Sequence, residues 1–87
     1  MSARKKLLLK ILAGSSDGNV EFSEMCSLLS HFGFDQRIKG SHHIFSKSGI
    51  AEIINLQPNG SKCKGYQVKQ IRALLIQYKL AEEVNDG

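Results

Sequence analysis

The chain has 87 residues, with 12 Lys and Arg against 8 Asp and Glu for a net charge of +4, and 2 cysteines. This length makes one domain, with room for one sheet and a few helices, and excludes a second. The charge favours an anionic partner, nucleic acid or an acidic protein surface, without the density of a disordered basic tail, and Cys26 and Cys63 are too few and too unpatterned for a disulfide framework or a Cys-x-x-Cys zinc site.

At the N-terminus, Arg4-Lys5-Lys6 followed by Leu7-Leu8-Leu9 imitates the first two parts of a signal peptide, but Lys10 interrupts the apolar run. The segment therefore reads as a helix that stays, over Ala3 to Ala13, with Leu8, Ile11 and Leu12 on one stripe. Basic residues in its first turn oppose the helix dipole, so packing must hold it. No stretch approaches the roughly 20 apolar residues of a membrane span, and a reducing cytoplasm is the expected location. Gly14-Ser15-Ser16-Asp17-Gly18 then breaks the pattern as a loop. A second helix is predicted over Ser23 to Phe32, with Phe22, Met25, Cys26, Leu29 and Phe32 at helical spacing and Gly33 placed to end it.

From Phe34 the rhythm changes. Phe34 to Lys39, His42 to Lys47 and Ala51 to Leu56 have strand length, and the turns Gly40-Ser41 and Ser48-Gly49 between them imply an antiparallel meander. Pro58-Asn59-Gly60-Ser61 closes the sheet, and Lys62-Cys63-Lys64-Gly65 leads into a last helix in which Val68, Ile71, Leu75 and Tyr78 align beside Leu74. Residues 81–87 form a polar, acidic tail, expected to fray. A run of strands between helices predicts an α+β fold with the helices gathered on one face of a three-stranded antiparallel sheet.

Chemistry concentrates at Gly40-Ser41-His42-His43. A histidine transfers protons near neutral pH without help from a metal. His42 and His43 are neighbours on a strand, so their side chains point to opposite faces and cannot both reach one phosphate within one chain. One is expected to act and the other to be structural, although a ring hydrogen-bonded at the edge of the core is the commoner role for a histidine beside a sheet. Lys39, Lys47, Lys62, Lys64, Lys69 and Arg72 lie where they could form one electropositive surface around the pair, or simply the solvated rim of a small domain. His31 is assigned no role. Cys63 lies between two lysines without a general base placed by sequence, a poor candidate for a nucleophile. Phe45 reads as core and Tyr66 as the better exposed candidate for stacking on bases. The isolated glycines make no nucleotide fingerprint, and no cofactor or metal site is expected.

Lys39-Gly40-Ser41-His42-His43-Ile44-Phe45, followed by a short strand pair, a Pro-then-Lys loop and a helix running Gly65-Tyr66-Gln67-Val68-Lys69-Gln70-Ile71-Arg72-Ala73-Leu74-Leu75, resembles the HicA family, the messenger-RNA interferase toxins of bacterial type II toxin–antitoxin pairs. The likeness spans roughly Phe22 to Leu80, and the leading helix looks like an extra one found in a longer variant. The resemblance implies a fold similar to a double-stranded-RNA-binding domain. It puts the catalytic histidine of the family's Gly-Ser-x-His motif at His43, with His42 at the variable position. It further implies metal-independent cleavage of messenger RNA, with RNA contacts from Lys39, Gly40, Ser41, His42, Lys47, Lys62, Lys64 and Lys69. The implied partner is a HicB-type antitoxin that covers the basic face, and the expected assembly is a homodimer or a toxin–antitoxin hetero-oligomer. One departure is Gln57-Pro58, where many members have His-Pro. Two readings compete: a non-catalytic RNA-binding module using the same basic sheet face, and a domain that only docks an acidic protein.

Overall fold

The computed structural model describes residues 3–80; the acidic tail at 81–87 lies outside them. Helix α1 covers Ala3–Ala13 as the apolar periodicity predicts, with Leu7, Leu8 and Ile11 buried and Leu12 packed at the edge of the core. No acidic residue sits in its first turn to offset the dipole, so the helix is held by the side that faces α3. The predicted loop after it contains a single 3-10 turn, Asp17–Asn19. Helix α2 covers Phe22–His31, one residue earlier at each end than the periodicity suggests. Gly33, at φ +92, stops it in a conformation that a side chain adopts only at a cost.

Strands β1 (Asp35–Lys39), β2 (His42–Lys47) and β3 (Ile50–Leu56) form a meander in the order β1-β2-β3, antiparallel throughout. Gly40 takes φ +62 at the first position of the two-residue β1–β2 turn, where the right-handed twist of a hairpin asks for a left-handed residue. Lys39 pairs with His42 across that turn, and Ile38, His43 and Leu56 lie in one row across the sheet. Towards the β2–β3 turn a bulge intervenes: Phe45 pairs with Ile54 but Lys47 with Ile50, so β3 carries the extra residues and bends.

Two further strands are too short to leave a periodic signal. Strand β4 (Pro58–Asn59) pairs with β5 (Lys62–Cys63) around the predicted turn, and Glu21 bridges to Lys62. Backbone bonds from Cys63 N to Val20 O (2.8 Å) and from Phe22 N to Ser61 O (2.9 Å) tie this hairpin to the start of α2. Helix α3 then covers Gly65–Gln77, with Val68, Ile71, Leu74 and Leu75 buried, and the left-handed turn at Lys79 returns Leu80 to the core. The helices lie on the face of the sheet where Phe45, Ile54 and Leu56 are buried, with α1 packed against α3, and the other face is left to solvent. Helix α2, the meander and α3 follow the order of a double-stranded-RNA-binding domain, with α1 added in front.

Candidate active site

The β1–β2 turn ends at the histidine pair, and the strand alternation separates the two rings as expected. His43 points to the helix-covered face and is half-buried there. Its ring meets that of Phe22, the first residue of α2, edge-on at a centroid distance of 4.8 Å and an interplanar angle of 79°. Gln36, on β1 opposite Phe45 and so diagonal to His43 on the same face, places its Nε2 2.8 Å from His43 Nδ1. An amide N–H donated to Nδ1 leaves the ring proton on Nε2. Turned over, the amide would instead accept Nδ1–H and leave Nε2 bare. Gln36 and Phe22 thus fix the ring plane and couple its tautomer to one amide.

His42 points to the open face, where its Nδ1 lies 3.1 Å from Asn55 Oδ1 on β3. Beside it a chain of polar contacts reaches the start of α3. Lys64 Nζ donates to Gln57 Oε1 at 3.1 Å, and Gln57 Nε2 donates to Ser41 Oγ, also at 3.1 Å. Gln67, buried to 2 % exposure, donates from Nε2 to Asn55 O at 3.2 Å and accepts a long 3.5 Å contact from Gln57 N. Periodicity offered one signal for this network, a glutamine at a core position of α3 one turn before Ile71. Gln36 and Phe22 offered none, because only the strand register and helix docking bring them to His43.

The structure divides the cations that the sequence gathers into one surface. Lys39, across the turn from His42, and Lys64, through Gln57, stay with the histidine pair and with Gly40 and Ser41. Lys62 Nζ is 2.7 Å from Glu21 Oε1 and holds that carboxyl below its ordinary range. Arg72 donates to both Asp17 carboxylate oxygens, at 2.8 and 3.1 Å, and to Ile11 O at 3.1 Å. The Arg72 bonds to its carboxylate hold the Asp17 pKa below the ordinary value, and Lys69, exposed one turn before Arg72 on α3, adds a smaller effect of the same sign. Lys47 stands at the far end of β2, roughly 16 Å along the strand from His42 at about 3.3 Å per residue. Its Nζ lies 3.0 Å from the point a Cβ would occupy on Gly33, beside the C-terminus of α2. Tyr66 is 65 % exposed and Phe45 is fully buried, as their sequence contexts predict. Burial pushes the Cys63 thiol up to about 12, so it remains protonated and unreactive at neutral pH. Among the described residues no three His, Cys, Asp or Glu side chains converge to hold an ion, and no helix is long and apolar enough to cross a membrane.

A family model described as the HicA toxin of bacterial toxin–antitoxin pairs matches residues 22–80, from the first residue of α2 to the turn after α3. The chain belongs to the HicA toxin family. No curated protein and no solved structure gave a significant match. The family match leaves out α1 and the Asp17–Asn19 turn, so the HicA unit is the helix–meander–helix core and α1 is an addition clamped to it by Arg72. Membership makes this chain the toxin member of a toxin–antitoxin pair, with an antitoxin as its counterpart.

Proposed function

We propose that this HicA toxin is an endoribonuclease that cuts messenger RNA with His43 as its acid–base group and without a metal ion. One observation carries the reading: the His43 ring is positioned by Gln36 through Nδ1 and by Phe22 through its edge, and among the described residues Nε2 has no partner. Cleavage through the ribose needs one proton removed from the 2′-hydroxyl as its oxygen attacks phosphorus, and one delivered to the departing 5′ oxygen. A neutral ring with its proton on Nδ1 serves the first step from Nε2, and an imidazolium serves the second. Both states present Nδ1–H to Gln36, so a turn of that amide accompanies either role. Lys39, across the turn from His42, and Lys64, through Gln57, lie at the same end of the hairpin and draw the RNA backbone towards it, while Gly40 and Ser41 let that backbone approach closely. Lys47, Lys62 and Lys69 act farther out, as a field that attracts the RNA. A HicB-type antitoxin would cover the cationic turn and silence it in the cytoplasm.

A second reading is also supported, because a ring packed edge-on and bonded through one nitrogen is how a structural histidine is held. In that case the protein binds RNA without cutting it. Cleavage of a labelled RNA in excess EDTA separates the two, using wild type, His43→Ala and His42→Ala prepared identically. The expected result is cutting by wild type and His42→Ala, with a loss of at least about 100-fold in His43→Ala. If all three bind RNA and none cuts, the binding-module reading replaces the enzyme.

A further inference from the structure

On the open side of the sheet, a groove of about 200 Å³ runs between β3 and the first turns of α3, lined by His42, Asn55, Gln57, Tyr66, Gln67 and Gln70. No lysine, arginine or carboxylate lines it, although the chain as a whole is basic. Its floor is rigid. Gln67 is tied to the backbone of β3 and Gln57 is pinned between Ser41 and Lys64. Its upper rim is unspent. Asn55 accepts from His42 through its oxygen, and among the described residues both its amide hydrogens remain for a ligand. Among the described residues the Gln70 amide and the Tyr66 hydroxyl make no hydrogen bond, and the Tyr66 ring is 65 % exposed.

We propose that this groove is a base-reading subsite, which takes one unpaired nucleobase stacked on Tyr66 and hydrogen-bonded at its edge by Asn55 and Gln70. The inference rests on the RNA-cleaving reading and adds to it the element that selects where the strand is cut. Chemistry favours a base over a phosphate: an amide-lined groove without lysine or arginine offers little to an anion. Carboxamides match the donor–acceptor edges of bases, and an exposed aromatic ring stacks on any of them. Position favours it as well. His42 lines the groove and His43 follows it on the other face, and the Gly40–Ser41 turn ends the hairpin beside both, so a strand passing around that end can reach both. The Gln57–Ser41 bond fixes the groove relative to the turn, so a base seated in it sets which phosphate lies at His43.

Binding of short homopolymers of A, C, G and U tests this, with His43→Ala as the parent so that no strand is cut. Tyr66, Asn55 and Gln70 are all exposed, so their variants are expected to fold, which a thermal melt of each checks. The expected parent prefers one base. Tyr66→Ala weakens binding about tenfold, the size of one lost stacking contact, whereas Tyr66→Phe retains it. Asn55→Ala and Gln70→Ala flatten the preference. A parent without base preference overturns the proposal. So do variants that keep the parent's affinity and preference, which would assign the groove to a protein partner instead. Cleavage by the His43-intact protein is scored separately. Base-selective binding with no cutting by that protein would sink the enzyme reading and keep the subsite, and cutting at sites unaltered by Asn55→Ala and Gln70→Ala would sink the subsite alone.

Discussion

His42 and His43 are one peptide bond apart and chemically alike, yet they sit in different environments because a strand turns successive side chains to opposite faces. His43 gains Phe22 and Gln36, while His42 gains Asn55 and the amide-lined groove. That division was legible in the sequence once the segment was read as a strand. The identity of each partner was not, since Gln36 meets His43 only through the β1–β2 register. A substitution at Gln36 probes the coupling. Gln36→Glu places a carboxylate beside Nδ1, favours the imidazolium, and moves the imidazole-dependent limb of the cleavage pH profile to higher pH. Gln36→Leu lowers the rate without that displacement. A profile that stays in place for Gln36→Glu would show that the contact does not operate during the reaction.

Among the elements, those with a full turn or more of periodic pattern were readable. Helix α1 and strand β2 have the bounds the pattern predicts, whereas α2, β1 and β3 are displaced by a single residue at one end or both. Strands β4 and β5 were missed because two-residue pairings have no period. They exist because Val20, Phe22, Ser61 and Cys63 meet across the chain. The β3 bulge was equally hidden, since its extra residues change pairing and not composition. Helix α1 lies outside the family match, so its contribution is best tested by itself. Ile11 is fully buried between α1 and the core, and Ile11→Ala is expected to cost about 2–5 kcal/mol. For a domain of this size the melting temperature should then fall by about 10 °C or more, which calorimetry or circular dichroism reads directly. A shift of a degree or two would mean that α1 contributes little to stability.

At the scale of the whole molecule, a few polar links fasten pieces far apart in sequence. Arg72 on α3 binds Asp17 and Ile11 O, Lys62 on β5 binds Glu21, and the Tyr78 hydroxyl donates to Glu52 and is held above its ordinary pKa by that bond. Asp17 and Glu21 are both held below the ordinary carboxylate range by their cationic partners. A carboxylate whose folded pKa is depressed stabilises the fold fully above its unfolded value, and that contribution is lost as the pH falls through the folded one. Stability should therefore be level down to about pH 5 and decline below it, given ordinary carboxylate values near pH 4. Asp17→Asn should be less stable than wild type at neutral pH and show a shallower acid decline. Melting temperatures across that pH range check this, and equal slopes for the two proteins would remove Asp17 from the account.

The class of fold, the turns, most of the core and the motif that marks the histidine pair follow from the order of residues alone. Each of these rests on interactions between residues near in the chain, or on the period with which apolar side chains must meet one face. Which cations stay with the histidines and which are engaged elsewhere, what holds each ring, and the amide-lined groove beside His42 emerge only when the chain is folded. Those outcomes depend on strand register and on how α2 and α3 dock, where residues such as Gln57 and Gln67, or Asp17 and Arg72, are brought together over distances that no local pattern encodes.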